Sequence, residues 1–223
     1  MRSRLLPACT LAAAVATALL AGGCGSGDDW SRPHAKPTAV GTPGPGFFPA
    51  ASPAPEATIT PRPGSWNGVR PPEGYRVVLL TAGEDHQTTT LVSAVTAWAE
   101  EEHVSLRTLT ATRPDRFVPT ISRAIDMRPD LIVSAGDDLV DPLALVTPNH
   151  LDQQFLVVGA ELAEPTENVT AADWTGASFR GEGLGMSSAY DPASFTPERA
   201  GRAVRAGAAA VLNGMTGIVL WLD

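Results

Sequence analysis

Residues 129–138 read PDLIVSAGDD, an apolar run of strand length that ends in a glycine and two acids. Leu131–Ala135 reads as a buried strand, and Gly136 permits a tight turn from it into a helix. The same order occurs upstream, where YRVVLLT at 75–81 is followed by Gly83, Glu84 and Asp85. Between these runs Leu91, Val92, Val95 and Trp98 fall on one helical face, and VSLRTLT at 104–110 alternates as a strand near an edge. Phe117, Ile121 and Ile125 mark a second helix, with Pro119 tolerable in its first turn. A short helix over 137–146 and a fourth strand at Phe155–Val158 continue the pattern. Strands alternating with amphipathic helices build a parallel sheet, so the expected class is α/β: a three-layer αβα sandwich with a mainly parallel sheet.

The stretch 159–188 shows no apolar periodicity, and a strand is expected near 187–190. Thr196-Pro197-Glu198 then has a hydroxyl cap, a proline at the first helical position and an acid in the first turn, a helix start. That helix carries Val204, Ala208, Val211 and Leu212, stops at Asn213-Gly214, and precedes a last strand at 218–222. The expected domain is 75–223, long enough for one core of its own.

Ahead of it lie two segments of different character. Arg2 and Arg4 precede an apolar run over 5–20, then Ala21-Gly22-Gly23-Cys24. Basic start, apolar core and small-residue end mark a secretory leader over 1–23, with a retained transmembrane helix as the alternative. The run from Leu20 to Cys24 resembles the bacterial lipobox, which implies a diacylated Cys24 and a stable anchor on the extracytoplasmic face of the membrane. Residues 24–74 place eleven prolines, from Pro33 to Pro72, among small and polar residues. That density excludes helices and sheet interiors, so a disordered tether reaching on the order of 40 Å or more is expected, with Phe47, Phe48 and Trp66 loose within it.

Net charge is −8, and loss of Arg2 and Arg4 with the leader makes it about −10. Such a surface disfavours nucleic acid. Both cysteines, Cys9 and Cys24, lie near the start, so no disulfide framework or cysteine metal site is expected in the domain. No Gly-x-Ser-x-Gly context surrounds Ser134, Ser178 or Ser187, and no glycine run matches a nucleotide loop. Neither an enzyme nor a cofactor is expected.

In order and spacing the chain resembles the basic membrane protein (BMP) family of ABC-transporter solute-binding lipoproteins, within the type 1 periplasmic-binding fold. The residues that carry this are Pro129-Asp130-Leu131-Ile132-Val133 with Gly136, Asp152 with Phe155-Leu156-Val157-Val158, and Asn168-Val169. Phe195, Glu198, Gly201, Ala206-Gly207 and Gly214-Met215-Thr216-Gly217-Ile218 match the helix and strand that enter the family's second lobe. The resemblance implies a single lobe of that fold, a small solute such as a nucleoside, and partners in a transporter permease or a separate second lobe. It also implies a binding loop after the first strand. Here that loop reads Asp85-His86-Gln87-Thr88-Thr89, with the family's acid but without its aromatic or its Asn.

Ligands of open parallel sheets sit outside the carboxyl ends of the strands, which makes Asp85, Gly136, Asp137 and Asp138 the candidate ligand-binding residues. Carboxylates there accept hydrogen bonds from ligand hydroxyls. The alternative is that they cap the following helices, where the dipole favours negative charge. Asp85 fits both roles equally, and capping is the simpler role for Asp137 and Asp138. The other class of function is a docking or structural lipoprotein that uses the same face for a protein.

Overall fold

A computed structural model of the chain describes residues 30–31, 35–177 and 179–223. The expected leader and Cys24 lie outside the described residues. The elements in chain order are β1 (Val40–Gly41), β2 (Thr58–Ile59), β3 (Val69–Arg70), β4 (Arg76–Ala82), α1 (His86–Glu101), β5 (Ser105–Ala111) and α2 (Phe117–Asp126). There follow β6 (Leu131–Ala135), α3 (Val140–Val146), β7 (Phe155–Val158), β8 (Val169–Asp173), α4 (Pro197–Leu212) and β9 (Val219–Trp221).

Seven strands form one sheet in the order β2-β9-β8-β7-β6-β4-β5, every neighbouring pair parallel. Alternate side chains serve the two faces. Val77, Leu79, Val133 and Leu156 pack under Leu91, Val95 and Trp98 of α1 and the alanine-rich side of α4. Val78, Leu80, Ile132 and Val157 pack under Ile121 and Ala124 of α2 and Leu143 and Val146 of α3. Both faces are covered, as a parallel sheet requires, and the three-layer αβα architecture expected from the sequence is the one observed.

Four of the expectations are corrected. The first concerns the disordered tether over 24–74. Phe47 and Trp66 are buried at 1% and 5% exposure in the same apolar cluster as Trp98 and Leu79, while Phe48 stays half-exposed. β2 pairs with β9, and β1 pairs antiparallel with β3. Proline density removes amide donors without preventing an extended strap, and two large aromatic rings supply the burial that holds it.

The second is the expected entry into another lobe. α4 packs beside α1, and β9 joins β8 in the one sheet. The connection has an unusual hand. α2 and α3 carry the chain across one face, whereas α4 carries it in the same lateral direction across the other. β8-α4-β9 therefore has the opposite hand to its neighbours, a rare exception to the right-handed rule. A 23-residue excursion over 174–196 separates β8 from α4 and relieves the twist constraint that normally sets the hand.

The third is the stretch 159–188, which holds the fully buried central strand β8, while 187–190 forms no strand. Ala172 there, on the α4 side of the sheet, is small because that helix lies close: a Cβ on Gly207 would collide with Leu156 on the adjacent β7. The fourth is the helix over 137–146, which begins only at Val140 because Gly136 (φ +85°) and the two acids complete the turn out of β6.

Asn168, fully buried before β8, reaches three backbone carbonyls through Nδ2: Thr147 (3.2 Å), His150 (2.8 Å) and Gln153 (3.0 Å). It bolts the end of α3 to the sheet, a structural role for the Asn-Val pair.

Candidate functional site

The chain leaves β4 toward β5 on one side and returns through α2 to β6 on the other. The strand order therefore reverses between the carboxyl ends of β4 and β6, the place where such sheets bind ligands. The two turns there carry all four candidate ligand-binding residues. Gly83 (φ +75°) turns the chain out of β4, and a Cβ on it would sit 2.8 Å from Asp138 Oδ2 and 3.2 Å from Asp85 Oδ2. Gly136 turns the chain out of β6, with its amide donating to the Val158 carbonyl at 3.0 Å. Carboxylates from two strand ends thus converge over Gly83.

Their roles differ. Asp85 is the N-cap of α1 and accepts from the Thr88 amide at 2.9 Å and the Thr88 hydroxyl at 2.8 Å. Burial works against its charge, yet these hydrogen bonds outweigh it and hold the carboxyl below its usual range. Asp137 Oδ1 accepts from Gln87 Nε2 at 2.9 Å, across the reversal point. Burial, the largest influence, and the charge of Asp85 push Asp137 up, against hydrogen bonds from backbone and Gln87. Asp138 is pushed up by burial and then by the charges of Asp137 and Asp85. The cap position of α3 is Leu139, which makes no side-chain capping bond. No ion pair involves these three acids among the described residues, nor are three His, Cys, Asp or Glu placed there to hold a metal.

Two contributors come from elsewhere. Gln87 links the turns, and Tyr190 on the 174–196 excursion donates its hydroxyl to Gln87 Oε1 at 2.8 Å. The excursion is firmly built. Trp174 Nε1 donates to Ser194 Oγ at 3.0 Å, Trp174 meets Phe195 edge-on at 5.2 Å, and the Asp191 amide donates to the Gly176 carbonyl at 2.9 Å. Tyr190 stays 48% exposed beside the carboxylates, so an aromatic ring stands at the crevice although the loop after β4 has none. Burial and the charges of Asp137, Asp85 and Asp191 raise the Tyr190 hydroxyl, which therefore remains a donor. The only signal of Tyr190 in the sequence was an aromatic in a Gly- and Ser-rich stretch, 103 residues from its partner.

The raised carboxyls have a consequence for stability. Because folding raises the pKa of Asp138, its favourable contribution is present below the ordinary carboxylate range and is lost as pH rises through the raised value. Asp138→Asn is expected to raise stability at pH 7 by roughly 0.2–0.5 kcal/mol, the scale of an exposed like-charge contact, and to flatten the gain on mild acidification. Thermal unfolding from pH 4 to 7 checks this. Asp85→Ala should do the reverse, costing ~1 kcal/mol at pH 7 through the lost cap.

Fold and crevice together define a doubly wound, parallel α/β domain with an acidic site at the point where strand order reverses. No family model matches the chain, and no curated protein matches its sequence. Solved structures resemble part of it. An ABC transporter system solute-binding protein from Aeropyrum pernix K1 shares 21% identity, with a TM-score of 0.41, over 45% of this chain and 29% of its own. A periplasmic ribose ABC transporter from Conexibacter woesei DSM 14684 shares 14%, with a TM-score of 0.41, over 68% of this chain and 54% of its own. A fragment of a protein assigned as a lipoprotein, from Peptoclostridium difficile 630, shares 15%, with a TM-score of 0.45, over 63% of this chain and 99% of its own. The chain spans less than a third of the first of these and about half of the second. Among the described residues no helix is long and apolar enough to cross a membrane.

Proposed function

We propose that this chain is an extracytoplasmic solute-binding module, anchored through a lipidated Cys24, that holds a hydroxylated solute such as a sugar or nucleoside at the reversal point. The observation that carries this reading is the convergence of Asp85, Asp137 and Asp138 with Gln87 and Tyr190. Ionised carboxylates only accept hydrogen bonds, so their natural complement is a ligand rich in O–H or N–H donors. An exposed aromatic ring beside them suits the apolar face of a sugar or base. The role is binding rather than catalysis: the hydrogen bonds of these acids tie Asp85 to Thr88 in the cap of α1 and Asp137 to the side-chain amide of Gln87. Asp85, Asp138 and Tyr190 are exposed, so the crevice has one wall, and a transporter permease or separate second lobe would supply the other.

A thermal-shift screen of the mature chain with millimolar sugars, polyols and nucleosides tests the proposal. A solute at ten times its Kd stabilises by about 1.4 kcal/mol, a rise of roughly 3–6 °C for a domain of this size. A second reading, a protein-docking surface, is favoured by the exposed Leu184 and Met186 on the excursion that carries Tyr190. If no solute shifts the midpoint while basic peptides do, docking replaces solute capture.

A further inference from the structure

We propose that the amino edge of the sheet is the face this domain lays against the lipid bilayer, clamped there by Trp30, so that the acidic crevice points away from the membrane. The inference rests on the lipid anchor at Cys24 and adds an orientation to it. Trp30 is buried at 7% exposure, its Nε1 donating to Ser105 Oγ at 2.9 Å at the start of β5. The Arg107 guanidinium lies 4.3 Å from the centre of its ring, a cation–π contact. Further along the chain, Lys36 lies at the same edge, where it lines a cavity of about 600 Å³ with Trp30, Tyr75, Asp130 and Gln154.

Chain length turns this docking into an orientation. Five residues separate Cys24 from Trp30, and the six Cα-to-Cα steps between the two span at most about 20 Å. The amino edge therefore cannot leave the neighbourhood of the anchor, and the expected long tether does not exist between them. The seven residues of β4 put the carboxyl edge about 20 Å further out.

The test uses the lipid-bearing chain in vesicles of neutral and anionic phospholipid that contain an acceptor-labelled lipid. Once the leader is removed, Cys24 is the one native cysteine, so a donor dye can be placed on Asp152→Cys at the amino edge or Glu182→Cys at the other. Energy transfer to the membrane is expected to be clearly stronger from position 152. Inserting fifteen Gly and Ser residues between Cys24 and Trp30 should erase the difference without touching the domain, and Trp30→Ala should reduce it. Equal transfer from both positions in the native chain, or stronger transfer from 182, overturns the orientation. An unchanged difference in Trp30→Ala overturns the clamp. A chain that fails to float with the vesicles, with Cys24 unmodified by mass, removes the anchor and the orientation with it, an outcome separable from equal transfer by a floating chain.

Discussion

A chain cut back to residues 75–223 is expected to lose most of its stability, and Trp66→Ala alone to lower it by about 3–5 kcal/mol. Phe47 and Trp66 fill one end of the cluster that also holds Trp98 and Leu79. Their removal opens that end of the core to water. The same cut strips β2 from the sheet. The Val219 amide donates to the Ala57 carbonyl at 3.0 Å, and the Glu56 amide to the Gly217 carbonyl at 2.9 Å, so both bonds vanish and β9 becomes a bare edge. β9 is three residues long and ends the connection of uncommon hand, which makes it the strand most dependent on outside support. Domains are stable by only 5–15 kcal/mol, so losing two large aromatics and a strand consumes most of that margin. Urea unfolding of the mature chain, the truncated chain and Trp66→Ala measures the effect. A truncated chain with an unchanged midpoint would return residues 35–74 to the role of a loose tether.

The misread strap shows where local pattern runs out. Proline spacing correctly forbids helices over 35–74, but Thr58 finds its strand partner at Val219, 161 positions away, and no local pattern records that pairing. β8 was hidden for a related reason. VTAAD has only small alanines at its centre, and on the α4 side the helix, with Ala200, Ala203, Ala206 and Gly207 facing the core, leaves room at Ala172 only for a small side chain. Strong runs such as Leu131–Ala135 and Phe155–Val158 were legible because strands buried on both faces must be apolar throughout. The site was partly legible for a topological reason. Acids just after strand ends are brought together wherever strand order reverses, which places Asp85 beside Asp137 and Asp138. Gln87 joins them from the first turn of α1, and Tyr190 from the excursion before α4, whose path follows from tertiary packing alone. The capping role, equally open for Asp85 and favoured for its neighbours, belongs geometrically to Asp85. Asp138 points instead toward the crevice above Gly83.

That division of roles allows the central claim to be tested on Asp138. A residue kept for folding weakens the protein when replaced, whereas one kept for a ligand can strengthen the fold and still cost affinity. Isothermal calorimetry of the mature chain and Asp138→Asn, titrated with the solute giving the largest thermal shift, is the direct measurement. Replacing the carboxylate removes a charge-assisted hydrogen bond of about 1.5–3 kcal/mol, so affinity should fall roughly ten- to hundred-fold while the unfolding midpoint holds or rises. Unchanged affinity in Asp138→Asn, or the absence of binding heat from every sugar, polyol and nucleoside at millimolar concentration, would contradict a solute site at the reversal point.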